Sequence, residues 1–178
     1  MTDKMSAADF LARAVEFLPL HNGPRFPEIR LHHASIAFEL ATKAAILHGG
    51  GTHAECLHAR HDLETAIKIA RRRGFACTLE ARGAATQLTG YYRTHRLADL
   101  ARVRPAQVLE RLCDLAAAHV WDVNAWMREK RSCQQNGGLV DRQPSASPVI
   151  NDERFFGIVQ RNIFPFFNAD NQCEKKSH

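Results

Sequence analysis

Between residues 53 and 96 the chain gathers side chains that can bind phosphate, move protons or hold a metal. Tyr91, Tyr92, Arg93, His95 and Arg96 combine aromatic faces for base stacking with guanidinium donors for phosphate. A plainer reading puts one tyrosine in the core and leaves the arginines exposed. Arg93, His95 and Arg96 are also the catalytic candidates, an imidazole to move a proton with cations beside the phosphate. Arg71, Arg72 and Arg73, together with Tyr92, Arg93 and Arg96, make up the candidate nucleic-acid or nucleotide contact. His53, Cys56, His58 and His61 put four zinc-type ligands within nine residues, at spacings that match no standard finger. The alternative is a histidine-rich loop with His61 bonded to backbone at a helix start. Walker A, GxGxxG, GxSxG and HExxH patterns are absent, and no cofactor is expected.

Charge directs attention to the same stretch. The whole chain carries 24 Lys and Arg against 19 Asp and Glu, a formal +5 over 178 residues. Residues 60–104 alone hold ten basic and four acidic residues, a local +6, so the remainder is close to neutral. Such a field suits an anionic partner, RNA or a nucleotide, although a solvated helix face produces it equally well. Apolar residues at 45% and charged residues at 24% are the balance of a globular domain, which excludes a disordered or collagen-like chain. No apolar run is long enough to span a bilayer, and the N-terminal residues lack a signal-peptide pattern. A cytoplasmic protein is therefore expected. Five widely spaced cysteines without a CxxC pair read as reduced thiols, with Cys113 in the core.

The elements that must position these residues all have the helical period. Ser6 and Asp9 form a capping-box pattern that opens a first helix striped by Phe10, Leu11, Ala14, Phe17 and Leu18. Gly23, Pro24 and Pro27 interrupt it. A second helix over residues 28–48 has a stripe of Ile29, His33, Ile36, Leu40, Ala44 and Leu47, with Ala37, Ala41 and Ala45 beside it. Those alanines admit close neighbours and mark it as the central helix. Within it His33 reads as a hydrogen-bonded core residue, and Glu39 and Lys43 as an i, i+4 pair, either a surface pair or a buried tie. Glycines 49–51 end it. Asp62 caps a third helix closed by Gly74, and Thr78 caps a fourth that runs towards Leu97. Pro105 starts a fifth, with a stripe of Leu109, Cys113, Ala116, Val120, Val123 and Met127, stopping near Arg131.

Residues 1–131 thus form an all-α antiparallel bundle of about five helices, the second and fifth central. Residues 132–153 read as a linker rich in Gly, Pro, Ser, Gln and Asn. Residues 154–178 hold an aromatic segment with five of the ten phenylalanines and a polar tail. Five phenylalanines must be hidden against the bundle, a second copy or another protein.

The order of these pieces resembles the HEPN family of helical bundles. An Ala/Leu-rich helix carries Glu39 and Lys43, glycines 49–51 follow, and His61, Asp62 and Leu63 open the next helix. LTGYYRTHRLADL is similar to the family's tyrosine-and-arginine segment, and the resemblance covers residues 28–123. It implies a bundle that often dimerises and occurs in toxin–antitoxin pairs, defence systems and nucleotidyltransferase partnerships. Many members cut RNA with an Arg and a following His separated by four to six intervening residues. Here only Arg25 and His32 have that spacing, with Pro27 between them. The expected function is therefore a non-catalytic HEPN-like binding module for RNA, a nucleotide or a partner protein. The alternatives are a diverged metal-independent ribonuclease toxin and a structural or regulatory homodimer.

Overall fold

The structure, a computed structural model, describes residues 4–18 and 26–136, all within one compact unit, Met1–Gly138. The expected linker beyond Asn136 and the Phe-rich segment lie outside the described residues. The architecture is all-α. Seven helices are described: α1 (Ala7–Glu16), α2 (Pro27–His48), α3 (His53–Ala59), α4 (Leu63–Arg72), α5 (Leu79–Arg93), α6 (Leu97–Val103) and α7 (Ala106–Asn136). None is long and apolar enough to cross a membrane among the described residues.

Local chemistry explains most of the boundaries. Ser6 accepts from the Asp9 N–H while the Asp9 carboxylate accepts from the Ser6 N–H, and Asp62 and Thr78 cap α4 and α5 in the single-bond form. Pro27 sits at the first position of α2, where its missing N–H costs no helical bond. Gly49 and Gly51 must be glycines for space, since a Cβ at either would lie 2.5 or 2.6 Å from Arg73 or Ile46.

Two helices absent from the sequence reading appear. The expected histidine-rich loop is α3, started by Thr52 and Glu55 as a reciprocal capping box. The fourth helix stops at Arg93 rather than running towards Leu97, and α6 follows as a separate element. α7 continues past Arg131 to Asn136.

α2 and α7 make the most extensive helix contact and form the centre, as expected. The α7 stripe is buried throughout, Leu109, Cys113, Ala116, Val120, Val123 and Met127 each being at most 5% exposed. The α2 stripe needs correction. Ile29 is exposed, and His33, Ile36, Leu40 and Leu47 are only partly buried. The buried set is Leu31, Ala34, Ala37, Phe38, Ala41, Thr42, Ala45 and Ile46 with Ala44. Because α1, α4, α6 and α7 all pack on α2, the helix is covered on several sides and small residues decide which sides are closest. His33 accordingly lies edge-on to Phe17 of α1 rather than inside the core.

His119 of α7 is fully buried, stacked on Phe38 at 3.9 Å between ring centroids, with Phe75 edge-on at 5.6 Å. Thr42 Oγ1 donates to the Phe38 carbonyl, so its 2.9 Å contact with His119 Nε2 requires the imidazole N–H to donate. His119 Nδ1 then faces the Cys77 sulfur at 4.0 Å. Burial holds this imidazole neutral down to about pH 3, whereas an unfolded chain protonates it near 6.5. Stability is thus complete above pH 7 and declines as pH falls towards 3. The domain should lose about 2 kcal/mol more than a His119→Leu variant between pH 7 and 5, read by urea unfolding at each pH. Equal pH slopes would contradict it.

Candidate functional site

The middle of α2 carries a carboxylate in the protein interior. Glu39 is 5% exposed, and a buried charge survives only if its lone pairs are engaged. Lys43, one turn along, donates to Oε1 at 2.5 Å. Tyr92, in the last turn of α5, donates its hydroxyl to Oε2 at 2.7 Å. His61, in the turn between α3 and α4, brings Nδ1 to the same oxygen at 2.9 Å. One carboxylate therefore ties three parts of the chain together. This settles the two readings of Glu39 and Lys43 in favour of the buried tie. It also corrects His61, whose partner is a side chain from another helix.

The two turns that deliver these groups have strained backbone. Arg60, directly before His61, has φ 45° and ψ −122°, a region that side chains disfavour. After α5, the Arg96 N–H bonds to the Tyr91 carbonyl and the His95 N–H to the Tyr92 carbonyl. That is the Schellman pattern, and its left-handed position, usually glycine, is His95 with φ 56°. The strain costs about 1–2 kcal/mol there.

These turns gather a group of rings at the surface. The His61 ring lies 5.3 Å from Tyr92 and 6.4 Å from His95. His32, from the first half of α2, lies 6.0 Å from Tyr92. The His61 side chain remains 53% exposed, so the ring is anchored on one edge and open on the other. With Nδ1–H given to Glu39, a neutral His61 presents Nε2 outward as an acceptor. The Tyr92 hydroxyl is held far above its usual range, first by burial and then by the Glu39 charge and hydrogen bond, so it stays a donor. His32 is held below the ordinary imidazole range by burial first, then by His33, His95 and His61.

The expected basic face is rearranged. Arg93 pairs with Asp62 at 3.2 Å, Arg73 with Glu55 at 2.6 Å, and Arg96 with Asp99 at 2.6 Å, a carboxylate it shares with Arg102. Arg71 and Arg72 are exposed at the far end of α4 from Asp62 and Arg93, about 15 Å along the ten-residue helix. The two arginine groups thus sit at opposite ends of α4. Tyr92 is 4% exposed, so its face is not offered for stacking, and Tyr91 is half-buried.

The four zinc-type ligands also diverge. His53 packs against Phe10, Cys56 is buried with its sulfur 3.9 Å from the Lys43 carbonyl, and His61 serves Glu39. His58 lines an open groove of about 330 Å³ with Ala54, Glu55, Thr65, Ile69 and Arg72, which none of the Glu39 partners borders. Burial pushes the Cys56 thiol up, the reverse of what a metal-binding thiolate needs. Among the described residues no group of three or more His, Cys, Asp or Glu is placed to hold a metal. His32 enters the sequence reading only through its spacing from Arg25; nothing in the residue order places it beside Tyr92.

No family model matches the chain, and neither a curated protein nor a solved structure is significantly similar to it.

If Glu39 is the tie, its removal should be costly and its partners coupled. Tyr92→Phe should cost about 1.5–3 kcal/mol, a buried hydrogen bond to a charged acceptor. Glu39→Leu should cost about 3–5 kcal/mol, because Lys43, 15% exposed, loses its counter-charge. The double variant, measured by denaturant unfolding, should fall short of the sum by at least about 1 kcal/mol. Additive losses would mean the two groups do not interact.

Proposed function

We propose that this chain is an HEPN-like module that binds RNA at the surface formed by His32, His61, His95, Arg93 and Arg96. The observation that carries the reading is that His32 and His61 both lie against the Tyr92 ring, His95 lies against His61, and Arg93 pairs with Asp62, the residue after His61. Imidazole and guanidinium edges are donors suited to phosphate oxygens, and His61 Nε2 is an acceptor suited to a ribose hydroxyl. The sequence resemblance to HEPN bundles over residues 28–123 supports the same assignment, and with it pairing of two copies or with an antitoxin or nucleotidyltransferase. Arg71 and Arg72, remote along α4, take the part of a weaker, general contact.

The experiment is anisotropy of a labelled, unstructured RNA over a range of salt. Affinity should fall as salt rises, and Arg93→Gln/Arg96→Gln should weaken binding about tenfold and flatten the slope. Arg71→Gln/Arg72→Gln should do less. A salt-independent affinity, or equal losses in both variants, would contradict the assigned surface.

A ribonuclease is the second reading, and one observation favours it. Glu39 orients His61 as a carboxylate orients a catalytic base, and His95 lies 6.4 Å away as a second imidazole. His61 would take the proton of the 2′-hydroxyl as that oxygen attacks phosphorus, and His95 would protonate the departing 5′-oxygen, beside Arg93. Cleavage by the wild type that disappears in both His61→Gln and His95→Asn would establish it. An intact RNA after incubation with the wild type would exclude it.

A further inference from the structure

The charges around this surface are unequally available. Lys43 is answered by Glu39, Arg93 by Asp62, and Arg96 and Arg102 share Asp99. The fixed cations are thus largely cancelled within the protein. What remains to change the potential here is imidazole, the side chain that gains or loses charge between about pH 5 and 8. Three are present, from three elements: His61 of the α3–α4 turn, His95 of the α5–α6 turn and His32 of α2, which burial holds below the ordinary imidazole range.

The carboxylates paired at this surface are Glu39, Asp62 and Asp99, and Glu28 stands one turn before His32 on α2. Glu64 of α4 accepts from the Thr86 hydroxyl of α5, and Glu55 of α3 is engaged by Arg73. α7 contributes the buried Cys113 and the neutral His119, which bonds to Thr42. α1 meets α2 at His33 through Phe17, with Asp9 bonded to Ser6. Arg60 on the turn, and Arg30 and His33 on α2, add further basic groups.

We propose that His32, His61 and His95 form a proton-gated phosphate clamp, which takes up an RNA backbone when the imidazoles are charged and releases it when they are neutral. The proposal rests on the RNA-binding reading and adds its regulation. Geometry supports it in three ways. Two rings lie 6.4 Å apart and the third across Tyr92, so their charges repel and an anion among them relieves the repulsion. Glu39 fixes the His61 ring with its free edge outward. His95 holds a left-handed position that glycine would occupy without strain. Keeping an imidazole there is a cost to the fold that a ligand contact would explain.

Linkage sets the size of the effect. A ligand that raises an imidazole pKa by one unit binds about tenfold tighter to the protonated form. The probe is fluorescein-labelled oligouridylate, titrated by anisotropy from pH 8 to pH 5.5 at fixed ionic strength, with circular dichroism confirming the fold at each pH. The wild type should bind at least about tenfold tighter at pH 5.5. His61→Gln/His95→Asn should reduce that change to about twofold or less, and Arg71→Gln/Arg72→Gln should leave it intact. His95→Gly, which relieves the backbone, should raise the thermal unfolding midpoint while diminishing the pH response. Tight binding that ignores pH overturns the clamp and leaves the RNA reading standing. A pH response that survives in the histidine double variant also overturns the clamp. No binding at any pH overturns both.

Discussion

A carboxylate buried in the middle of a central helix constrains everything around it. Taking such a charge out of water costs several kcal/mol unless donors surround it. Glu39 obtains them from Lys43 on its own helix, from Tyr92 at the end of α5 and from His61 in the α3–α4 turn. The last two bring distant stretches of chain to one point. The position of the whole histidine-bearing surface follows from satisfying that one group.

The core beneath gives this arrangement something rigid to work against. α2 and α7 pack through alanines and a fully buried imidazole, with Phe38 and Phe75 on His119. At the surface the backbone is less relaxed, and among the described residues the two non-glycine positions with positive φ, Arg60 and His95, belong to the turns flanking the Glu39 partners. Strain of this kind persists where the surroundings over-determine it, and it concentrates at sites that bind or react. Stable packing below and strained turns above are a division of labour between fold and site.

Much of the fold was legible in the residue order. Ser6 with Asp9, Asp62 and Thr78 announce helix starts because their side chains accept from nearby N–H groups, and the α7 stripe shows which face is buried. Thr52 and Glu55 carry the same signal for α3, in a segment whose histidines and cysteine also fit a loop. The buried face of α2 was not legible, since apolar residues surround that helix and the choice of face depends on which neighbours arrive. The site was less legible still. Glu39 and Lys43 have the spacing of countless surface pairs, and only the arrival of Tyr92 and His61 makes the carboxylate a tie. Likewise, +6 in residues 60–104 counts charges, whereas Asp62 on Arg93 and Glu55 on Arg73 are pairings between elements.

The central claim is that Glu39 holds His61 by Nδ1 and leaves Nε2 facing outward. Nitrogen-15 NMR of the imidazole, recorded at a pH where the ring is neutral, reads this directly. The account predicts the Nδ1–H form for His61 in the wild type, and loss of that preference in Glu39→Leu. A wild-type His61 in the Nε2–H form, or averaging between forms as a free imidazole does, would contradict it.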